Sequence, residues 1–451
     1  MLPDGLADAL EAATGATITA ITPRGGGGAS REGAEIDLTW SDGRIQRAYL
    51  NYDVYRAGAG DDASFLREAA IIRALSGPLK GAGVRTAPFI AAIPEKRALL
   101  GGFVGGEANF NKLITPEERK AVATDFMKQL AQLHSIDIGK TPVEGMGPVL
   151  RPPLEIANRL AGMRERNSGA AWDPLIHLSL DWLEENVPAD TVDPVIVHGD
   201  AGPANFLFEN GAVTILLDWE LVHYGDPMAD LAMLCLRMLF QPFVPLAEAF
   251  AAYEAASGTM VDLARVRYWR LLFQTSFARP NRYVDPNTPP PNLGMNMVYT
   301  TIHRRVLSEA LAEAGGVRLD RVALPDAPQG PHHRSFEIAL ADLRNIIVPR
   351  IADQQAAAKS KGLARLIKWW RDCERYEAKF LEAERIEIGA ALCSDFADHA
   401  SAWKAFCEAV RAGALDNAKA YPLANAHVAR EATLMADAMG GLATTEFAAL
   451  E

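Results

Sequence analysis

The 451-residue chain is short of cysteine: Cys235, Cys373, Cys393 and Cys407 are its four, and none of them form a CxxC pair. This spacing excludes a zinc ribbon or a disulfide framework, and reads as free thiols in a reducing cytoplasm. Basic residues are outnumbered, 45 Lys plus Arg against 57 Asp plus Glu, for a formal charge of -12. A global nucleic-acid-binding surface is therefore not expected. No stretch supplies the ~20 clean apolar residues of a membrane span. The most apolar one, residues 228–244, contains Asp230, Arg237 and Pro242. The first residues, MLPDGLADALEAATG, carry acids where a signal peptide needs bases. The expectation is a cytoplasmic protein with no membrane and no nucleic-acid partner. The oligomeric state is not fixed by the sequence.

Against these absences, 49% of residues are hydrophobic and 23% charged, the composition of a soluble globular protein. At roughly 150 residues per domain the length allows two or three domains. Three regions can be separated. Residues 1–105 are α+β: AEIDLTW (34–40) alternates as a half-buried strand, SDGR (41–44) is a hairpin signal, IQRAYLNY (45–52) returns, and residues 62–75 have helical spacing. Residues 106–335 are mostly helical, with TPEE (115–118) starting a helix that runs to His134. A short β interruption at residues 194–220 consists of two apolar runs, PVIVHGD and AVTILLDWE, around a turn at Asn210 and Gly211. Residues 336–451 form a helical extension. The Pro-rich segment DPNTPPPNL (285–293) is a loop.

The stretch HGDAGPAN (198–205), followed by LLDWE (216–220), carries the chemistry. Each run delivers an acid, Asp200 or Asp218, at the end of a buried strand, and a hairpin between them would bring Asp200, Asn205 and Asp218 together. Two carboxylates and an amide suit phosphoryl transfer. One carboxylate takes the proton of an attacking hydroxyl; the other, with the amide oxygen, offers the hard ligands magnesium prefers.

The pattern HGDxxxxN with DWE resembles the aminoglycoside phosphotransferase and choline kinase superfamily. GDPMADLA (225–232) and LAQLHS (130–135) extend the match to this family, and YEAASG (253–258) with GGASRE (27–32) resembles the branch associated with acyl-CoA dehydrogenases. The resemblance covers residues 15–285. It implies an α+β, bilobal, protein-kinase-like fold with a β-rich N-terminal lobe and a helical C-terminal lobe. It implies Asp200 as the catalytic base, with His198 hydrogen-bonding the catalytic loop, and Asn205 and Asp218 as magnesium ligands. Gly25, Gly26, Gly27, Gly28 and Ser30 match the loop over the phosphates, Glu68 the helix glutamate that positions a phosphate-binding cation, and Asp230 a structural acid.

One match fails. The strand that should supply the cation reads AYLNYD (48–53), and no Arg or Lys stands near Asn51. Arg31, at the end of the glycine loop, and Arg47, on the face of Asn51 by even spacing, are the first substitutes, ahead of Arg56. Arg279, Arg282 and Tyr283 are a candidate cationic patch for an anionic substrate. The implied activity is transfer of the γ-phosphoryl group of ATP or GTP, with Mg²⁺, to a hydroxyl of a small molecule such as a hydroxyacyl-CoA. Antibiotic phosphorylation, and a nucleotide-binding pseudokinase or scaffold, stay open as alternatives.

Overall fold

The structure is a computed structural model and describes residues 2–24, 31–53, 62–280, 290 and 292–450. By packing it divides into two units, Met1–Glu155 with Asp190–Val266, and Ile156–Ala189 with Arg267–Glu451.

The first unit opens with helix α1 (Leu6–Thr14) and continues through β1 (Thr17–Arg24), β2 (Arg31–Thr39), β3 (Ile45–Asp53), α2 (Asp62–Ser76), β4 (Phe89–Ile93) and β5 (Ala98–Gly102). The five strands form one antiparallel sheet in the order β1-β2-β3-β5-β4. Alternation decides which face is buried. Ala34, Ile36 and Leu38 of β2 and Ala48, Leu50 and Tyr52 of β3 point into one core with Leu6, Leu10 and Leu100. The turn at 41–44 closes as its sequence predicts, with the Trp40 N–H donating to the Arg44 carbonyl at 2.9 Å.

Helix α3 (Pro116–His134) starts at a capping box. Thr115 Oγ1 accepts from the Glu118 N–H at 3.2 Å, and Glu118 Oε2 accepts from the Thr115 N–H at 3.1 Å. Helix α4 (Pro152–Arg166) passes from the first unit into the second, where α5 (Pro174–Glu185) follows. The chain re-enters the first unit for β6 (Val195–Val197), β7 (Phe206–Glu209), β8 (Ala212–Leu216) and β9 (His223–Gly225), then α6 (Met228–Arg237), α7 (Leu246–Ser257) and the start of α8 (Leu263–Phe277).

Here the expected hairpin needs correction. The turn at Asn210 and Gly211 joins β7 to β8, whereas the run 195–197 pairs with β9. Residues 198–205 leave the first run as an irregular loop, and the chain re-forms a strand only at Phe206. Asp200 therefore sits in a loop between two small sheets.

The second unit is helical: α5, the remainder of α8, α9 (Leu293–Gly315), α10 (His333–Asp342), α11 (Gln354–Leu392), α12 (His399–Arg411) and α13 (Asn417–Met439). Residues 336–451 are helical and fall in the same packing unit as α5 and α9. The apolar face of α9, with Val298, Ile302, Val306 and Leu307 fully buried, requires cover, and the later helices supply it. Ser308 donates to Asn425 Oδ1 at 2.5 Å, and Arg304 pairs with Glu431 at 2.9 Å. Among the described residues no helix is long and apolar enough to cross a membrane.

Candidate active site

The site is built on the loop of residues 198–205. Ile196 and Val197 are completely buried in β6 and fix its entry. Asp230, wholly buried at the start of α6, accepts from the backbone N–H groups of His198 and Gly199, both at 2.8 Å. The same carboxylate lies 3.0 Å from His134 Nε2, and His134 Nδ1 lies 2.8 Å from the Tyr253 hydroxyl. Burial alone would raise the Asp230 pKa; His134 and the backbone donors more than offset this and hold it below its ordinary value.

Gly199 has φ +86°, and a Cβ there would overlap the Leu221 carbonyl, so the loop can turn here only with glycine. Ala204 (φ 74°) and Asp218 (φ 61°) adopt the left-handed region without being glycine. Such residues cost on the order of 1–3 kcal/mol each and cluster at functional sites.

Asn205 donates through Nδ2 to the Asp200 carbonyl at 2.9 Å and to Asp200 Oδ2 at 2.6 Å. Its backbone carbonyl accepts from the Leu217 N–H at 2.8 Å, which ties the loop to the residue before Asp218. Asp218 itself is exposed. Burial pushes the Asp200 carboxyl up; Arg237 opposes the shift and Asp218 adds to it. Glu220 is also pushed up, by burial first and Asp218 second. His198 is buried against Trp219, with ring centroids 4.5 Å apart, and its Nδ1 accepts from the Asp200 N–H at 3.3 Å. Its ring is used inside the loop.

Arg31, the first residue of β2, meets Glu68 of α2 with two nitrogens, Nη1 to Oε1 at 2.8 Å and Nη2 to Oε2 at 2.6 Å. It also lies 3.9 Å from Glu220. Burial would lower the Arg31 pKa, but Glu68, followed by Glu220 and Asp218, holds it above its ordinary value. Arg47 is engaged differently. It pairs with Glu35 at 2.6 Å and lies over the Phe103 ring at 4.6 Å, more than half exposed. Of the two substitutes for the strand cation, only Arg31 reaches the helix glutamate.

Gly25, Gly26, Gly27, Gly28, Ser30, Arg56, Arg282 and Tyr283 lie outside the described residues. Arg279 belongs to the second packing unit, where it donates to the carbonyls of Ser276 and Ala278 at 2.8 Å each. It thus closes the end of α8.

Two residues outside the sequence expectation support the loop. Arg265 donates to buried Asp226 at 2.8 and 2.5 Å, fixing the GDP turn before α6. Arg237 donates to both carboxylate oxygens of Asp200, at 3.1 and 2.9 Å, and to Asn205 Oδ1 at 2.6 Å. The only sequence signal for Arg237 was its place seven residues beyond Asp230.

No group of three or more His, Cys, Asp or Glu side chains that could hold a metal occurs among the described residues. Magnesium with a nucleotide needs fewer protein ligands, because water and phosphate oxygens fill its remaining positions. The donors here fit that ion. Asp218 is exposed beside two carboxyls whose pKa values are raised, and Asn205 Oδ1 keeps one lone pair beyond its bond to Arg237.

Residues 53–269 match the phosphotransferase enzyme family. Acyl-CoA dehydrogenase family member 11 of Gallus gallus is 32% identical over 123 residues, 26% of this chain and 15% of the relative. The Homo sapiens protein of that name is 29% identical over 148 residues, 32% of this chain and 19% of the relative. The chain thus corresponds to less than a fifth of the length of either relative. Among solved structures, a putative fructosamine-3-kinase from Thermobifida fusca is 20% identical with a TM-score of 0.46, covering 70% of this chain and 100% of that one. An aminoglycoside phosphotransferase APH(4)-Ia in complex with ADP and hygromycin B is 15% identical with a TM-score of 0.47, covering 68% and 97%. The likeness to the phosphotransferase enzyme family thus spans residues 53–269, just under half of the chain.

Proposed function

We propose that the protein transfers the γ-phosphoryl group of ATP to a hydroxyl of a small molecule. The observation that carries this reading is the hydrogen-bonded Asp200–Asn205 pair, on a loop braced by Asp230, with exposed Asp218 beside it. Asp200 accepts the proton of the acceptor hydroxyl as its oxygen attacks phosphorus. Asn205 and Asp218 would hold magnesium, which neutralises charge on the nucleotide phosphates. Arg31, oriented by Glu68, supplies the phosphate-binding cation that the β3 sequence lacks. That pair supports an active enzyme over an inactive homologue. Catalysis then rests on positioning and charge neutralisation, without a covalent intermediate.

The acyl-CoA dehydrogenase names of the curated relatives support a hydroxylated acyl thioester or related catabolic alcohol as acceptor. A cytoplasmic location agrees with the use of ATP. The test is ATP consumption by the purified protein with Mg²⁺ and a panel of 3- and 4-hydroxyacyl-CoAs, free hydroxy acids and aminoglycosides. Acceptor-dependent ADP release with a hydroxyacyl compound is the expected result. Release with aminoglycosides alone would overturn the acceptor assignment. Absence of any nucleotide binding would overturn the phosphotransferase reading itself.

A further inference from the structure

Helix α6 meets the catalytic loop twice from one face. Asp230 and Arg237 are seven residues apart, close to two helical turns, so their side chains project in nearly the same direction roughly 10 Å apart along the axis. Asp230 takes the two N–H groups at the loop's start. Arg237 takes its end: the Asp200 carboxylate, Asn205 Oδ1, and the Pro203 carbonyl at 3.4 Å from Nε and 3.3 Å from Nη2.

The loop contains no cation of its own between Gly199 and Asn205. It does contain the space for one. Gly202 has φ +150°, and a Cβ on it would lie 2.7 Å from Arg237 Cβ and 2.9 Å from Cγ. Any other residue there would push the arginine stem away from the loop.

An asparagine amide can face either way. Here the guanidinium holds the oxygen, the Asp200 carboxylate holds the nitrogen, and the amide has one satisfied orientation. A single donor from Arg237 leaves the second lone pair of Oδ1 for a cation. The same guanidinium binds both oxygens of Asp200 and so fixes the carboxylate plane.

We propose that Arg237, admitted by Gly202, is the positioning residue of this site: it sets the amide orientation of Asn205 for the metal and the carboxylate orientation of Asp200 for the proton. The proposal rests on the phosphotransferase reading and adds a residue to it.

The test compares Arg237→Gln and Arg237→Lys with the parent. Mn²⁺ binding in the presence of a non-hydrolysable ATP analogue is followed by calorimetry, and kcat and KM on the accepted alcohol are measured alongside. Loss of charged hydrogen bonds of this kind predicts about a tenfold or larger fall in kcat and a several-fold weaker Mn²⁺ affinity for Arg237→Gln. KM for the acceptor should change less than kcat, because Arg237 acts on the alcohol only through the orientation of Asp200. Arg237→Lys keeps the charge without the fork and should recover only part of the loss.

A merely structural arginine would lower the thermal midpoint and leave Mn²⁺ affinity and kcat of the folded fraction unchanged, which overturns the proposal. So does Arg237→Gln binding Mn²⁺ and turning over like the parent. A parent that binds no Mn²⁺–nucleotide at all overturns this proposal together with the phosphotransferase reading, whereas a normal parent with an indifferent variant overturns the Arg237 assignment alone.

Discussion

Both packing units bury charge, and they do so to opposite ends. In the second unit, Arg304 is 2% exposed and bonds Asp173 at 2.6 Å and Glu431 at 2.9 Å. Glu431 continues to His427 at 3.2 Å, and His427 to Glu384 at 3.0 Å, which also receives His399 at 2.5 Å. Every acid on this path meets a cation or an imidazole, and the path cross-links α9, α11, α12 and α13. In the first unit, among the described residues, Glu68, Asp200, Asp218 and Glu220 are set against the guanidiniums of Arg31 and Arg237. Four carboxylates against two guanidiniums leave an excess of negative charge, and Asp218 is exposed at its edge. A closed network of charges holds helices together. An open one asks for a cation, and Mg²⁺ with a nucleotide is the cation the donor types suit.

The largest effects should separate these two kinds of network. Arg304→Met leaves Asp173 and Glu431 buried without their shared partner, and breaking such a group costs about 3–5 kcal/mol. Urea unfolding should record that loss, while the protein that remains folded binds nucleotide as before. Asp200→Asn should do the reverse. It keeps shape and one acceptor oxygen but removes the proton acceptor, so turnover should fall by about 10² or more. Stability should change by less than about 1 kcal/mol, since the substitution also removes a carboxylate that burial disfavours. Turnover close to the parent in Asp200→Asn, or unfolding unaffected in Arg304→Met, would break the distinction.

The contrast also marks what the sequence could tell. Strand alternation in residues 34–40 and 45–52, the TPEE start of α3 and the HGDxxxxN spacing are local patterns, and local patterns determine local geometry. The pairing of β6 with β9 was not legible: three apolar residues specify a strand but not its partner, and the Asn210–Gly211 turn pointed to the nearer one. The helices after residue 336 were legible as helices. Their joining with α5 and α9 was not, because it depends on which apolar faces meet. Arg31 was legible as one of several cations, and the choice needed the register of β2 beside α2. Arg237 carried no motif. Its role arises from a glycine 35 positions away in sequence whose absent side chain lets it through.

A smaller effect should distinguish the two substitutes for the strand cation. Arg31→Met should raise the ATP concentration for half-saturation by about tenfold, the scale of a lost charged hydrogen bond to phosphate. Because it leaves Glu68 buried and unpaired, the double variant with Glu68→Gln should restore stability without restoring ATP affinity. Arg47→Met loses only an exposed pair with Glu35 and should change ATP saturation by less than about twofold. Equal effects from Arg31 and Arg47 would remove the Arg31–Glu68 pair from the phosphate role.

The smallest effect lies in the pH dependence of the closed network. Both nitrogens of His427 face carboxylates, and although burial alone would lower its pKa, Glu431 and Glu384 raise it from 6.5 to about 9. Glu431 moves the other way, from 4.5 down to about 2, because Arg304 and His427 outweigh its burial. A raised histidine contributes stability in full below its unfolded pKa and loses it as pH climbs through the folded value. A depressed carboxylate contributes in full above its unfolded pKa and loses it as pH falls through the folded one. The network should therefore contribute most between pH 4.5 and 6.5, and between 6.5 and 9 His427 should cause stability to decline. One proton sets the limiting slope at about 1.4 kcal/mol per pH unit. His427→Gln keeps polar contacts to both acids but does not titrate, so the difference between parent and variant stability should shrink from pH 6.5 to 9. Urea unfolding at pH 6, 7, 8 and 9 measures it, and parallel stability curves for the two proteins would show that His427 is neutral in the folded state.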